Sequence, residues 1–363
     1  MSVAKLITQN FRNLEGKAID FHPALNFIVG ANGSGKSSLL EAIFYLGHGK
    51  SFRTSKVNNL ARHQASGFVV SVRNEQSNQL GLSRDLVSGE TDIKINGQRK
   101  ARLSELAKNI AVQIVTPESF KLFFGGAKER RRFVDLGLFH VEHDFSDKWR
   151  EFSKVHKQRN ACLRKKLDRA MLDYWSELFC KHSLIVSQSR ASYIDLLVKE
   201  LKLWISLLLP KLDCDISIQY SQGWHQKKEL TQVLVENREK EVSYGHSLFG
   251  AHKFDVKFLI SRKPLEIALS RGQQKLFLLA LTFAQAKLIE KVKRVKPILL
   301  IDDVGAELDL NSRQLLTNAI AELDCQVIVT AIDQIALEPL ILDNKNYKMF
   351  HVEHGDISVV SEY

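Results

Sequence analysis

Eight consecutive residues near the start of the chain have the spacing of a phosphate-binding loop: Gly30-Ala31-Asn32-Gly33-Ser34-Gly35-Lys36-Ser37. Glycines at these positions let the backbone turn its N–H groups inward and form a concave nest for phosphate oxygens. The Lys36 ammonium group would contact the β and γ phosphates, and the Ser37 hydroxyl would be a ligand of Mg²⁺. The sequence therefore predicts a nucleoside triphosphate site that runs from Gly30 to Ser38.

A second chemical motif is a pair of carboxylates at the end of an apolar run. Pro297 to Ile301 favours a buried strand, and Asp302 and Asp303 follow it directly. Asp302 would hold Mg²⁺ opposite Ser37, either directly or through water, and Asp303 would orient and polarise the attacking water. We expect Asp303 and Lys36 to carry the catalysis of phosphoryl transfer.

Short segments on both sides of the loop predict the elements that position it. Leu25 to Val29 is apolar enough for a buried strand, and Ser38 to Ile43 favours the start of a helix. This order places phosphate at a helix N-terminus, where the helix dipole and free N–H groups favour an anion. A further helix is expected from Ser270 to about Glu290, with Ser270 as its N-cap and Gly272 allowing close backbone approach. Taken alone, that start fits an ordinary helix N-terminus better than a second phosphate site.

The arrangement of these elements along the chain predicts an α/β head with an inserted helical lobe. Strand signals dominate the first third and include a hairpin at Asn96-Gly97, and they return after Asp215. Between them, two long stretches look helical, Asp147 to Leu167 and Tyr174 to Leu209. We expect residues 1–120 and 246–363 to form the head and residues 121–245 to form the helical lobe.

The charge of the chain favours a polyanionic partner. Lys and Arg number 52 against 41 Asp and Glu, which gives a net charge of +11. Such an excess promotes association with nucleic acid, although it says nothing about the fold. A solvated helix face explains most charge runs equally well, and a basic cluster could also brace a lobe junction. Candidate DNA contacts are Arg130, Arg131, Lys148, Lys154, Lys157 and Lys165.

Other sequence features argue against a secreted or membrane protein. The four cysteines include no C-x-x-C pair, so neither a disulfide framework nor a cysteine metal site is indicated. Met1 to Asn10 lacks a basic stretch followed by an apolar core, and we expect no signal peptide. The most apolar window, Leu201 to Leu209, is far shorter than the ~20 residues that span a bilayer. We expect a cytoplasmic protein with no membrane partner.

The order of the motifs resembles the head of ABC-type ATPases. The phosphate loop is followed by Ser270-x-Gly272-Gln273, then by the double-Asp strand, then by Glu307-Leu308-Asp309. Over essentially its whole length the chain is similar to the RecF family of such ATPases. The matching stretches are Leu6 to Asn13, Gly30 to Ser38, Thr116 to Glu118, Arg130 to Asp135, Gly250 to Lys253, Leu269 to Lys275 and Leu300 to Asp309.

This resemblance implies an ATP-sandwich homodimer that uses ATP and Mg²⁺ and binds duplex, gapped or junction DNA. It also implies slow ATP hydrolysis, and cooperation with RecR and RecO in loading RecA during DNA repair and replication. By resemblance, Ser270, Gly272 and Gln273 of one subunit would reach the nucleotide of the other, and Asp309 would lie between the two sites. Gln113 is the implied Mg²⁺-sensing glutamine, although an ordinary strand residue fits it as well.

Two departures from the wider ABC pattern point to slow turnover. Asp303 stands where transporters carry Glu, and its shorter side chain would slow water activation. Transporters also carry a His directly after the strand that corresponds to Val327 to Ala331, and no His stands there in this chain. One contact with the γ-phosphate is therefore either missing or made by Thr330. The alternatives are the ATPase subunit of a membrane transporter and a P-loop kinase of a small substrate. The signature at Ser270 has no role in such a kinase, and the basic charge and inserted lobe argue against the transporter.

Overall fold

The computed structural model describes residues 2–166, 168–212, 214–292, 295–303, 308–341 and 346–362. The chain divides into two compact units. Unit 1 comprises Met1–Ser119, Leu203–Lys211 and Arg271–Tyr363, and unit 2 comprises Phe120–Lys202 and Leu212–Ser270. Residues 246–270, which the sequence assigned to the head, lie in unit 2, because the strands within them pair with a strand that starts at Ile216.

Two sheets form the framework of unit 1. Among the described residues, the first is antiparallel and consists of β1 (Lys5–Gln9), β2 (Ile19–Asp20), β4 (Gly67–Arg73), β5 (Gln79–Asp85), β6 (Thr91–Ile95) and β7 (Gln98–Lys100). The second has the order β15-β14-β3-β13-β12-β8 and consists of β3 (Leu25–Val29), β8 (Ala111–Val115), β12 (Pro297–Ile301), β13 (Gln326–Ala331), β14 (Tyr347–Glu353) and β15 (Asp356–Glu362).

The register of the second sheet brings the chemical motifs to one edge. β12, β13, β3 and β14 are parallel neighbours, with Ile301 opposite Val329 and Ala331 opposite Val29. The carboxyl ends of β3, β12 and β13 therefore meet at the same edge, which is where open α/β sheets bind ligands. All three strands are buried along their whole length, as their continuous aliphatic sequences predict.

The helices of unit 1 are α1 (Lys36–His48), α2 (Leu103–Asn109), α10 (Arg271–Lys291), α11 (Leu310–Ala321) and α12 (Glu338–Ile341). Leu39, Leu40 and Ile43 of α1 are fully buried. They share one hydrophobic cluster with residues of both sheets, including Leu6 and Ile28. Full burial of an aliphatic side chain contributes about 1.5–3 kcal/mol, so this cluster fixes α1, and with it the loop that precedes α1.

Unit 2 is mainly helical, as the sequence predicts. Its helices are α3 (Lys121–Phe124), α4 (Ala127–Val141), α5 (Phe145–Lys165), α6 (Arg169–Leu208, entering unit 1 at Leu203), α7 (Leu230–Glu236), α8 (Arg238–Tyr244) and α9 (Leu265–Ala268). A small antiparallel sheet joins β9 (Ile216–Ser221), β10 (Asp255–Ile260) and β11 (Lys263–Pro264). Within the described ranges, none of the helices of the chain combines the length and apolar character needed to cross a bilayer.

Candidate nucleotide-binding site

Residues 30–35 connect β3 to α1 and form the predicted phosphate loop. Lys36 is the first residue of α1, and its Nζ donates to the backbone oxygens of Gly30 at 2.6 Å and of Ala31 at 3.0 Å. Burial lowers the pKa of Lys36, and the charges of Asp302 and Asp303 oppose that shift. A phosphate oxygen would offer this partly desolvated ammonium group a stronger partner than two neutral carbonyl oxygens, since hydrogen bonds between ions are the strong ones.

The outer side of the loop is held by two residues that are distant in sequence. The Asn13 Nδ2 donates to the Ser34 backbone oxygen at 3.2 Å, and Asn13 Oδ1 accepts from Ser38 Oγ at 2.9 Å. The Gly355 N–H donates to the same Ser34 oxygen at 2.7 Å. A Cβ on Gly355 would come within 1.8 Å of the Asn13 backbone oxygen, so only glycine fits there. The loop is thus held in shape by protein contacts before any ligand arrives.

Neither of these two residues is given a role by the motif pattern. Asn13 belongs to the stretch from Leu6 to Asn13 that is similar to the RecF family, and this similarity was the sequence signal that could have drawn attention to it. Gly355 follows His354, whose φ of 50° continues the tight turn between β14 and β15. Its contact with the loop joins positions 321 residues apart in the chain, and local sequence carries no sign of it.

Ser37 and Asp302 meet at the mouth of the loop, as predicted. The Ser37 Oγ lies 3.2 Å from Asp302 Oδ1 and 3.1 Å from Oδ2. Burial raises the pKa of Asp302, as does the charge of Asp303, whereas hydrogen bonds from Thr330 and Ser37 lower it. A hydroxyl and a carboxylate are hard oxygen ligands of the kind that Mg²⁺ prefers. The residues present therefore fit a Mg²⁺ ion held between Ser37 and Asp302.

Asp303 combines an unusual backbone with an unpaired side-chain oxygen. Its φ is 57°, in the left-handed region, and its N–H donates to Thr330 Oγ1 at 2.9 Å. Its Oδ1 is buried and has no hydrogen-bond partner within the described part of the chain. Strained backbone and unsatisfied buried polar atoms are features of functional sites. Both features favour the predicted role of Asp303 in binding and polarising a water molecule.

Thr330 links the Asp302 side chain to the Asp303 backbone. It is fully buried, and its Oγ1 donates to Asp302 Oδ1 at 2.7 Å while accepting from the Asp303 N–H. With its one proton given to Asp302, the hydroxyl cannot also donate to a phosphate. Of the two alternatives considered from the sequence, a γ-phosphate contact through Thr330 is therefore the weaker, and Thr330 instead holds the Asp302 carboxylate and the Asp303 backbone N–H.

These groups line a cleft of about 930 Å³, a volume within the usual range for small-molecule sites. The lining includes loop residues, Ser37, Ser38 and the two carboxylates, together with the cationic side chains Arg12, Arg53 and Arg62 and with His63. A polyanion that enters this cleft therefore meets Lys36 and three guanidinium groups. Sequence reasoning gave no role to these three arginines or to His63, although Arg12 lies in the stretch from Leu6 to Asn13 that is similar to the RecF family.

Gln113 does not belong to this cleft. It lies opposite Leu299 in the β8–β12 pairing, two residues before the end of β8, and is 3 % exposed. Its Nε2 is buried with no hydrogen-bond partner among the described residues, but the side chain does not line the cleft. Each strand residue advances about 3.3 Å, which leaves Gln113 well short of the carboxyl edge. In the structure Gln113 is a buried strand residue, and its implied role in sensing Mg²⁺ stays a prediction.

The signature residues lie outside the cleft of their own chain. α10 begins at Arg271, directly after Ser270, so the expected helix start is in place. Ser270 and Gln273 are exposed and Gly272 is half-buried, with open space around the position of a Cβ. None of the three lines the cleft. Their implied contact with the nucleotide of a second subunit stays a prediction.

Asp309 has a structural role that its motif does not reveal. It is the N-cap of α11, where its Oδ1 accepts from the Ser312 N–H at 2.7 Å. That backbone N–H lowers the pKa of Asp309. An N-cap carboxylate also complements the helix dipole. Its implied place between two nucleotide sites stays a prediction, and Glu307, which belongs to the same motif, lies outside the described residues.

The six candidate DNA contacts in unit 2 fall into two groups. Arg130 donates from Nε and Nη2 to both carboxylate oxygens of Asp255, at 2.8 and 2.9 Å, and Arg131 donates to the Phe254 backbone oxygen at 3.1 Å. Lys148 pairs with Asp144 at 3.0 Å and also with Glu142. These three side chains are engaged within unit 2. A bracing role, which the sequence left open for the Arg130 cluster, describes them better than a DNA contact.

Lys154, Lys157 and Lys165 form the second group. All three are exposed on α5, whose opposite face buries Phe152, Val155 and Leu163. Positions 154, 157 and 165 differ by three and eight residues, which places them on one side of a helix. They remain available to an external anion.

The fold and the cleft define a P-loop ATPase head of the ABC type. The family model described as RecF/RecN/SMC N terminal domain matches residues 2–358. Three relatives are each described as a DNA replication and repair protein RecF. The chain is 62 % identical to that of Colwellia psychrerythraea over 99 % of this chain and 98 % of the relative. It is 39 % identical to that of Pseudoalteromonas translucida, over 98 % and 99 %, and 37 % identical to that of Shewanella woodyi, over 100 % and 99 %.

Solved structures agree on the fold. A structure of the recombination mediator protein RecF with ATP superposes with a TM-score of 0.86 at 24 % identity, over 99 % of this chain and 98 % of that one. An Smc head bound to the C-terminal winged-helix domain of ScpA superposes with a TM-score of 0.58 at 18 % identity, over 99 % and 97 %. The chain therefore belongs to the RecF/RecN/SMC N-terminal domain family and, within it, to the RecF proteins.

Proposed function

We propose that this chain is an ATP-dependent DNA-binding recombination mediator that acts in DNA repair and replication in the cytoplasm. It binds duplex or gapped DNA as an ATP-sandwich homodimer, hydrolyses ATP slowly, and helps to load RecA together with RecR and RecO. The observation that carries the proposal is the single cleft lined by Lys36, by the hydrogen-bonded pair Ser37 and Asp302, and by Asp303.

The residues of the cleft divide the work of ATP hydrolysis. Lys36 and the N–H groups of the loop bind the phosphates, and Ser37 and Asp302 hold Mg²⁺. When bound, the metal neutralises charge on the phosphate oxygens. Asp303 accepts a hydrogen bond from the attacking water, and Thr330 links the Asp302 carboxylate to the Asp303 backbone N–H. In-line phosphoryl transfer needs mainly this positioning and charge neutralisation.

Pairing of two heads is supported by the place of the signature residues. Ser270 and Gln273 are exposed and lie outside the cleft of their own chain. In a head-to-head dimer they would complete the nucleotide site of the partner subunit, so the triphosphate would join the two chains. ATP binding then promotes dimerisation, and hydrolysis reverses it.

DNA binding is supported by the net charge of +11 and by the exposed lysines of α5. Each lysine that neutralises a phosphate contributes a slope of about −0.9 to the dependence of log K on log salt. Lys154, Lys157 and Lys165 would together contribute roughly three such terms.

The test is light scattering of the purified chain with and without ATP and Mg²⁺, followed by DNA titrations over a salt series. We expect ATP-dependent dimers and salt-sensitive DNA binding. Ser270→Arg should stay monomeric with ATP, and a monomer in the wild-type chain would contradict the proposed dimer.

A triple variant of Lys154, Lys157 and Lys165 to Gln sharpens the DNA assay. It should flatten the salt dependence, whereas the matched triple change of the exposed α6 residues Lys181, Lys199 and Lys202 should not. Equal effects of the two triple variants would show that net charge alone, and not the α5 face, determines DNA binding.

A further inference from the structure

Glu41 is a fully buried carboxylate beside the phosphate loop. It lies on α1 one helical turn beyond Ser37, so the helix that presents Ser37 to Asp302 also carries Glu41. Its two oxygens accept from Arg12, with Nε to Oε2 and Nη2 to Oε1 both at 2.8 Å. The Glu41 side chain has no exposed area, whereas Arg12 retains 19 %. Arg12 therefore turns one side of its guanidinium group to Glu41 and keeps the rest toward the cleft.

The same carboxylate also holds a second arginine. Ser51 Oγ donates to Glu41 Oε1, and that hydroxyl accepts the N–H groups of Arg53 and Thr54, both at 2.9 Å. The backbone of Arg53 is thus fixed relative to Glu41. Its Nη1 lies 3.7 Å from Glu41 Oε2, and 45 % of its side chain is exposed. Arg53 and Arg12 both line the cleft with Lys36.

The backbone of Arg12 is held as firmly as its side chain. Its φ is 51°, a left-handed conformation that persists only where the surroundings enforce it. The Arg12 N–H donates to the Leu60 oxygen at 2.8 Å, and the preceding Phe11 is fully buried. Backbone strain and a bidentate ion pair at one residue indicate that the direction of this guanidinium group matters.

We propose that Glu41 is a positioning residue that directs Arg12 and Arg53 at the phosphate groups of the bound nucleotide. One carboxylate holds two guanidinium groups, so a positive charge remains for the ligand. A buried carboxylate is costly unless it is paired, and here both partners line the cleft. The inference rests on the proposed ATP binding and adds to it a function for Glu41, for which no motif accounts.

The experiment measures ATP and AMP affinity by calorimetry for Glu41→Gln. The amide cannot accept both Arg12 donors, so the two arginines lose their fixed direction while Lys36 and Ser37 stay in place. We expect ATP affinity to fall about 10- to 100-fold, by analogy with the loss of a residue that orients a metal ligand. The affinity for AMP should fall less, because AMP carries fewer phosphates. Arg12→Lys keeps the charge but loses the two-pronged contact, and it should shift ATP affinity in the same direction.

Glu241→Gln is the matched control, because Glu241 is also fully buried and pairs with a buried arginine, Arg159, but in unit 2. It should lower stability and leave ATP affinity unchanged. In a background of Arg12→Ala and Arg53→Ala, adding Glu41→Gln should have no further effect. A folded Glu41→Gln or Arg12→Lys chain with wild-type ATP affinity would overturn the inference. A wild-type chain that binds no ATP would instead overturn the proposed function.

Discussion

The nucleotide cleft of unit 1 and the buried charges of unit 2 use similar residues in opposite ways. In unit 2, Arg159 is 2 % exposed and donates to Glu241, Ser176 and Ser247 at 2.6, 3.0 and 2.7 Å. Arg190 is equally buried, holds both oxygens of Asp135, and stacks 3.7 Å above the Phe254 ring. These charges are saturated by protein partners.

In unit 1 several charged groups that line the cleft retain free bonding capacity. Asp303 Oδ1 has no partner among the described residues, and the Lys36 Nζ donates to the neutral backbone oxygens of Gly30 and Ala31. Arg12 and Arg53 keep exposed area toward the cleft. Saturated charges specify a packing arrangement, whereas unsaturated charges leave binding energy for a ligand. Four variants or conditions test this difference.

Lys36→Ala should have the largest effect on the cleft. A hydrogen bond to a charged group contributes about 1.5–3 kcal/mol, and Lys36 would make more than one to the triphosphate. We expect ATP affinity to fall on the order of 100-fold or more. Calorimetry measures the affinity, and circular dichroism should show an unchanged fold. Retained ATP affinity would remove the phosphate-loop assignment.

Asp303→Asn should separate binding from hydrolysis. Asparagine keeps the size of the side chain but is neutral. It therefore lacks the negative charge with which a carboxylate polarises the attacking water. We expect ATP affinity within a few-fold of wild type and hydrolysis slowed by about 10²–10⁴. Phosphate release under saturating ATP measures the rate. Turnover at the wild-type rate would show that the unpaired Oδ1 is not catalytic.

Arg159→Ala should have the converse effect. It leaves the Glu241 carboxylate buried without its ionic partner, which typically costs about 3–5 kcal/mol of stability. Urea denaturation followed by tryptophan fluorescence measures this loss, since Trp175 and Trp224 lie in unit 2. ATP affinity at low urea should stay unchanged. If the variant loses affinity as Lys36→Ala does, the contrast between the two regions fails.

A stacked pair of histidines should make the stability of unit 2 depend on pH. His156 and His252 lie 4.1 Å apart, and burial lowers the pKa of His156 to about 4 and that of His252 to about 3. Above pH 6.5 both rings are neutral in the folded and the unfolded chain. Below pH 6.5 the two histidines bind protons in the unfolded chain but stay neutral in the folded chain. The free energy of unfolding should therefore fall from about pH 6.5 toward pH 4.

The slope should be at most about 1.4 kcal/mol per pH unit for each histidine. Thermal melts over that pH range measure this slope. His156→Phe should reduce the slope of stability against pH by the contribution of one histidine. A wild-type curve that stays level between pH 6.5 and 4 would show that the pair is not desolvated as its packing indicates.

The sequence predicted the parts of the site that depend on local order. Strand β3, the loop and α1 are contiguous, so a spacing pattern suffices for Lys36 and Ser37. The aliphatic run of β12 likewise fixes where Asp302 and Asp303 lie. The turn at Asn96-Gly97 is confirmed by φ values of 50° and 79°.

The parts that sequence missed depend on contacts between distant positions. Arg130 is paired with Asp255, 125 residues away. The sequence shows that Arg130 is charged, but it does not show which residue pairs with it. The sequence left two interpretations of Gln113 open, because the pattern of a strand does not show how far a residue lies from the carboxyl edge of the sheet. Glu41 looked like an ordinary helix residue, since nothing local shows that Arg12 and Ser51 converge on it.

The central claim is that ATP binds to the unsaturated groups of unit 1 and leaves the saturated groups of unit 2 unchanged. Hydrogen exchange of the Asp303→Asn chain with and without ATP and Mg²⁺ tests it directly, because slow hydrolysis keeps the bound state populated. We expect added protection at residues 30–38, 12–13 and 51–54, and none at residues 152–160 or 238–252. Absence of protection at residues 30–38, or equal protection around Arg159 and His252, would contradict the account.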